Sequence, residues 1–334
     1  MRRMIGDAVF VAGDVIVAGD IGGTHARFCL ATLQAGRVQA LGTPVTLLAR
    51  EHASLGSAWE SFCATLDQPV PRFAALALAC PIIGETLQLT NNPWVIRPAA
   101  LATELAVERV MLINDFAAVA HAVAQLPDEQ FTPLCGPAGP LPAQGVLSII
   151  GPGTGLGVAQ LWRDAAGAKV VACEGGHMDF APLDALEDDI LRLLRLRYTR
   201  VSVERIVSGP GLKNIFEALA EIEGRPVHIR DDKELWAAAI AGEDTLATAA
   251  LARFCACLGA AAGDFALAQG AAGVVIAGGI LPRIIHKLPD TGFASRFVAK
   301  GRFERMMSAI PVRALSHPHP GLWGAAAAFA AGQI

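Results

Sequence analysis

The chain has 334 residues, too many for one ordinary core, so two lobes with a cleft between them are expected. Its 27 Lys and Arg against 31 Asp and Glu give a formal net charge of -4, which supplies no basic field for nucleic acid or an anionic membrane. Hydrophobic residues make up 53% and mean hydropathy is +0.44, yet apolar runs such as Val146 to Ile150 stop well short of the ~20 residues of a bilayer span.

Asp7 and Asp14 interrupt what would be the apolar region of a signal peptide, so secretion is disfavoured. Seven scattered cysteines without a C-x-x-C pair argue against a disulfide framework or a zinc cluster and fit reduced thiols in a cytoplasmic protein. Cys255 and Cys257 point to different faces of a helical pattern and would not share a metal.

In chain order, Val15 to Gly19 reads as a buried strand running into Asp20-Ile21-Gly22-Gly23-Thr24; a return strand through Phe28 to Leu33 ends in a turn at Gln34 to Arg37. Glycines at such a turn let backbone N–H groups approach phosphate oxygens. Thr24 offers a hydroxyl, Arg27 can reach phosphate, and Asp20 can hold Mg²⁺. An ordinary hairpin turn is the plain alternative.

A helical pattern over Leu55 to Leu66 and an apolar strand over Phe73 to Ala79 follow. Arg109 to Ile113 is a strand that ends at Asn114-Asp115, before a helix from Phe116 to Leu126. Asn and Asp there suit a helix N-cap. The functional alternative makes Asp115 the acceptor of a proton from an attacking hydroxyl, with Asn114 bonding a neighbouring one.

A second hairpin repeats the first: strand Val146 to Ile150, turn Gly151-Pro152-Gly153-Thr154-Gly155, return strand Val158 to Trp162, turn Arg163 to Gly167. Strand, glycine turn, strand differs from the common nucleotide folds, whose glycine loops lead from a strand into a helix. Neither G-x-x-x-x-G-K-[ST] nor G-x-G-x-x-G occurs. One hairpin per lobe implies a duplicated α/β unit with nucleotide phosphates held between the halves.

After the apolar strand Lys169 to Cys173, Glu174-Gly175-Gly176-His177 brackets two glycines with an acid and an imidazole, suited to sugar hydroxyls. Taken alone, His177 is more often structural. Leu183 to Tyr198 reads as a helix with a solvated charged face. Glu204 has a weak case on its own, pairing with Arg205 being the default. Leu246 to Gln269 is a long alanine-rich helix, then come strand Gly273 to Ala277, the Gly278-Gly279 turn and a helix from Gly321 to Ala331. Gly278 and Gly279 let adenine or ribose lie against bare backbone, with a tight turn as the alternative. His317-Pro318-His319-Pro320 reads as a loop rather than a metal site.

Together these segments resemble the bacterial hexokinase-like glucokinase family of the actin-like ATPase superfamily. The resemblance rests on Gly19-Asp20-Ile21-Gly22-Gly23-Thr24 with Arg27, Ala79-Cys80-Pro81, Thr90-Asn91 with Trp94, Ile113-Asn114-Asp115-Phe116, and Gly153-Thr154-Gly155-Leu156-Gly157. It continues through Glu174 to Pro182, Val201-Ser202 with Glu204-Arg205, Ser208-Gly209-Pro210-Gly211, Ile276 to Ile280 and Pro320-Gly321-Leu322.

The resemblance implies a two-lobed α/β fold, residues 1–113 plus 321–334 forming the small lobe and 114–320 the large one. It further implies a cytoplasmic homodimer that uses MgATP to phosphorylate the 6-hydroxyl of glucose. Glucose would be held by Asn91, Asn114, Asp115, Glu174, His177 and Glu204, with Asp115 as the base. ATP would be held by Gly19 through Thr24, Arg27, Gly153, Thr154, Gly155, Gly278 and Gly279, with Asp20 toward Mg²⁺. A kinase for another hexose, a sugar-sensing regulator and an ATP-driven assembly protein are the other readings compatible with this fold.

Overall fold

The computed structural model describes residues 14–89, 92–226 and 231–332, together with the backbone pairing of β1 (Met4–Ile5) with β2 (Ala8–Val9). Asn91 lies outside the described residues. The chain forms two compact units, residues 1–127 with 317–334 and residues 128–316.

The first unit is built on a sheet of β3 (Val15–Ile21), β4 (His25–Gln34), β5 (Arg37–Leu41), β6 (Val45–Leu48), β7 (Phe73–Leu78) and β10 (Arg109–Asn114). Helix α1 (Leu55–Cys63), the short ribbon of β8 (Leu87–Gln88) and β9 (Val95–Ile96), and helix α2 (Pro98–Glu104) lie between these strands in sequence. Its order is β10-β7-β3-β4-β5, with β6 also paired to β4. The β10, β7 and β3 strands are parallel, while β3, β4 and β5 form an antiparallel meander.

Strand alternation sends Val17, Ile21, Phe28, Leu76 and Leu78 to one face, where Phe28 stacks on Phe62 with ring centroids 5.3 Å apart. The other face carries small residues, Ala18, Ala31, Ala75 and Ala77, and is covered by α3 (Asp115–Gln125) and the last helix, Pro320–Ala331. Ala325 to Ala328, which inflate the hydropathy, are fully buried here. Small side chains let backbones approach: a Cβ on Gly324 would sit 1.7 Å from the Ala118 carbonyl oxygen. Because α3 packs on that last helix, it belongs to the first unit, which therefore extends past the 113/114 boundary expected from sequence.

In the second unit, β11 (Phe131–Cys135), β12 (Gly145–Pro152), β13 (Leu156–Asp164), β14 (Gly167–Cys173), β15 (Ala271–Ile276) and β16 (Val312–Leu315) form a sheet of order β11-β16-β15-β12-β13-β14. The β12, β15 and β16 strands are parallel, and β12, β13 and β14 are an antiparallel meander. The run β16-β15-β12-β13-β14 repeats the first sheet's β10-β7-β3-β4-β5 strand for strand, so the repeated plan read from the hairpins is a duplicated sheet.

The helices of this unit are α4 (Ala185–Arg195), α5 (Gly209–Ile222), α6 (Asp232–Ala241), α7 (Thr245–Gln269), α8 (Leu281–Ile284), α9 (Phe293–Val298) and α10 (Glu304–Ser308); α11 is Pro320–Ala331 of the first unit. Among the described residues, α7 is long and apolar enough to cross a bilayer by length and composition alone, although Arg253 and Asp264 interrupt its apolar run. Most of it is buried in the unit's core, where Phe254 and Phe265 pack and α5, α6 and α9 surround it.

The start of α4 also departs from expectation. Glu187 is 2% exposed rather than solvated: with Asp184 it binds Arg253 at 2.7 Å and Arg296 at 2.8 Å, and it accepts the Leu183 N–H. A charge so deeply buried persists because it is fully paired.

Candidate active site

Each sheet gathers site residues at the carboxyl ends of its parallel strands, the usual ligand edge of an open α/β sheet. In the first unit Asp20 pairs in register with Arg27 across the hairpin, and Ile21 with Ala26. Gly22, Gly23 and Thr24 form the turn, closed by the Gly22 N–H to His25 carbonyl bond of 2.9 Å, with Thr24 exposed.

The Arg27 guanidinium lies 3.6 Å from the Asp20 carboxylate. A quarter of the Asp20 side chain remains exposed, but burial pushes its carboxyl above the ordinary value, with Arg27 and then His319 opposing the shift. Among the described residues no group of three or more His, Cys, Asp or Glu could hold a metal alone. A single partly exposed carboxylate fits Mg²⁺, which takes one or two carboxylates and fills its shell with water and phosphate oxygens.

Gly19 and Ile21 lie in the last three residues of β3. Both are buried, and a Cβ at Gly19 would meet Leu76 at 2.5 Å, so that glycine serves sheet packing. The Ile21 carbonyl is already taken by the Ala79 N–H at 3.0 Å.

Asn114 ends β10 and caps α3. Its Oδ1 accepts the N–H groups of Phe116 and Ala117, each at 3.0 Å, while its Nδ2 donates to the Cys80 carbonyl at 3.3 Å. The cap reading is therefore correct, and it leaves one amide hydrogen for a ligand. Asp115 follows at the first helical position, where the helix dipole favours its carboxylate, and its Oδ1 accepts from Phe116 N–H at 2.9 Å. Register places Asn114 beside Leu78, and Leu78 beside Ile21. With one strand between them, Asp115 and the Asp20–Thr24 turn share a sheet edge at a separation of roughly 10 Å.

In the second unit three glycine segments converge. The Gly153 N–H bonds the Gly155 carbonyl at 2.8 Å, and the Gly153 carbonyl accepts the Gly209 N–H at 2.7 Å. Ala277 N–H reaches Ile150 O at 2.7 Å and Ile280 N–H reaches Pro152 O at 3.2 Å, which lays Gly278-Gly279 against the hairpin. Gly278 has φ of 89° and leaves no room for a Cβ, whereas Thr154 and Gly279 are exposed. Sequence reasoning left Gly209 out of the site. Its signal was the Ser208-Gly209-Pro210-Gly211 run, read only as part of the resemblance.

Glu174 precedes and His177 ends a single 3₁₀ turn, and both are exposed. A Cβ at Gly176 would lie 2.2 Å from the Leu156 carbonyl oxygen, so the glycine lets this turn press against the start of β13. Glu204 comes beside it: Val203 N–H bonds Met178 O at 2.8 Å, and Asp179 forms a bridge with Ser202. Glu204 does not pair with Arg205. Its Oε2 accepts the Leu156 N–H at 2.8 Å, and Arg205 lies over the Tyr198 ring at 4.2 Å. His317 and His319 sit in a loop as expected, with the His317 ring against Trp323.

Two copies of a three-strand meander on parallel strands, each with a glycine turn at the ligand edge, make up the actin-like ATPase fold. The sequence model of the family described as Glucokinase matches residues 17–332. The curated glucokinase of Zymomonas mobilis is 59% identical over 315 residues, covering 94% of this chain and 97% of its own length, and that of Hahella chejuensis is 38% identical over 93% and 96%. A crystal structure of glucokinase from an Antarctic psychrotroph superposes with a TM-score of 0.80 at 35% identity, covering 94% of this chain and 98% of that one. A glucokinase of the ROK family from Streptomyces griseus, 16% identical with a TM-score of 0.60 over 93% and 98%, shares the fold. The chain belongs to the glucokinase family.

Proposed function

We propose that the chain transfers the γ-phosphoryl group of MgATP to the 6-hydroxyl of D-glucose, giving glucose 6-phosphate and ADP, with Asp115 as the catalytic base. The observation that carries this reading is the placement of Asp115 at the helix start, on the same sheet edge as the Asp20–Thr24 turn. The relatives named glucokinase support it, as does the Streptomyces griseus structure, described as a complex with glucose and AMPPNP.

In this reading Asp115 accepts the 6-hydroxyl proton as the O6–P bond forms and the bond from the γ-phosphorus to the bridging oxygen breaks, the electron pair leaving with ADP. Asn91, Asn114, Glu174, His177 and Glu204 orient the sugar. Gly22, Gly23, Thr24, Arg27, Gly153, Thr154 and Gly155 hold phosphates, and Gly278 and Gly279 take the nucleoside. Asp20 would hold Mg²⁺, which supplies charge neutralisation on the phosphates.

The test is a coupled MgATP assay across glucose, mannose, glucosamine and N-acetylglucosamine. Glucose is expected to be turned over best. Asp115→Asn is expected to fold normally and to lose about 10²-fold or more in kcat; turnover near wild type would refute the base assignment. A cytoplasmic homodimer belongs to the same reading, and light scattering is expected to give twice the 34.8 kDa of one chain.

A further inference from the structure

The Glu204 carboxylate does more in the second unit than face a ligand. Its Oε2 accepts the N–H of Leu156, the residue that follows the Gly153–Gly155 turn, at 2.8 Å. Gly155 makes room for it: a Cβ there would lie 2.4 Å from Oε2 and 3.2 Å from the carboxyl carbon. Glycine at position 155 is thus demanded by the carboxylate as well as by any phosphate. The same Leu156 has its carbonyl pressed by Gly176, between Glu174 and His177. The turn carries the contact onward, from Gly155 O to Gly153 N–H at 2.8 Å and from Gly153 O to Gly209 N–H at 2.7 Å.

From this geometry we infer that Glu204 is a positioning residue that couples the sugar pocket to the phosphate turn through the Leu156 N–H; the inference rests on the sugar role of Glu204 proposed above. An ionised carboxylate has about four lone-pair sites, so Oε1 takes a hydroxyl while Oε2 keeps the Leu156 N–H. Hydrogen bonds to an ionised acceptor are short and strong, which makes the brace stiff. A sugar that fixes the carboxylate fixes the start of β13 with it and pre-orders the turn for phosphate. The coupling is reciprocal, as linkage requires.

The test is calorimetric titration of the full chain with MgAMPPNP, without and with saturating glucose. The wild type is expected to bind the nucleotide about tenfold more tightly with glucose, within the usual span of coupling between two sites. Two variants remove the brace by different routes. Glu204→Ala deletes the carboxylate, and Gly155→Ala keeps it but displaces it from Leu156. Both are expected to bring the ratio below about twofold, under the about 5–150-fold usual for coupled sites. Glu204→Gln retains an oxygen for the Leu156 N–H and is expected to retain most of the wild-type ratio, which a merely structural role would not distinguish. Thermal unfolding confirms that each variant is folded, and Gly155→Ala carries the comparison if Glu204→Ala no longer binds sugar.

A wild-type ratio in Gly155→Ala, with glucose bound and phosphorylated, overturns the coupling and leaves the kinase reading standing. A wild-type ratio near one with glucose bound does the same. Absence of glucose binding to the wild type removes the kinase reading and the inference together.

Discussion

Asn114 joins an observed folding role to the sugar contact proposed for it. Its oxygen closes the first turn of α3 and its amide ties β10 to the Cys80 carbonyl, so Asn114→Ala is expected to cost about 1 kcal/mol in urea unfolding, the usual value of a lost cap. Asn114→Asp keeps the cap and favours the helix dipole but replaces the bond to the Cys80 carbonyl with a repulsion between two oxygens, so a modest loss of stability is expected, and KM for glucose should rise because the amide donor is gone. Inside the same helix, His121 is 6% exposed and burial lowers its pKa to about 4 from 6.5. The folded state therefore holds its proton less tightly than the unfolded one. Its stabilising contribution is complete above pH 6.5 and is lost as pH falls toward 4. Between pH 7 and 5 the wild type should lose roughly 2 kcal/mol more than His121→Gln, read from urea midpoints; parallel pH profiles would refute the assignment. The Asn114 cap was legible because a polar pair ends an apolar strand. The Glu204 brace was not, because its partner is a backbone N–H 48 residues away and leaves no local pattern.

At the level of elements, glycine turns announced both hairpins, and strand pairing follows them closely. Helix ends were less legible. The helix expected from Leu183 starts at Ala185, because the Asp184 side chain accepts the Glu187 N–H and Glu187 reaches back to Leu183. The burial of Glu187 was hidden in sequence for a related reason: its partners, Arg253 and Arg296, arrive from α7 and α9. The contact of α11 with α3 gives a sharper test. Gly324→Ala would force a methyl group into the Ala118 carbonyl, and a loss at or above the about 1–3 kcal/mol of ordinary overpacking is expected in chemical unfolding. An unchanged midpoint would mean that the helices separate freely.

For the whole molecule, the duplicated plan was readable from two matching hairpins, whereas the unit boundary was not, since the choice of partner for α3 depends on a helix about two hundred positions later. If glucose binds the native state alone, an excess of 100 times Kd should add about 2.7 kcal/mol of stability and raise the melting temperature, measurable by scanning calorimetry. Galactose, which differs in one hydroxyl, serves as the comparison sugar. The late arrival of α11 has a further consequence for how the protein is made. Strands β3, β4 and β7 leave the ribosome early, but the alanine-rich lid over one of their faces is translated only after all of residues 128–316. The nascent amino-terminal part must wait with that face open while the inserted part folds, so it is the stretch on which a chaperone would act, and pausing near codon 316 would prolong its exposure.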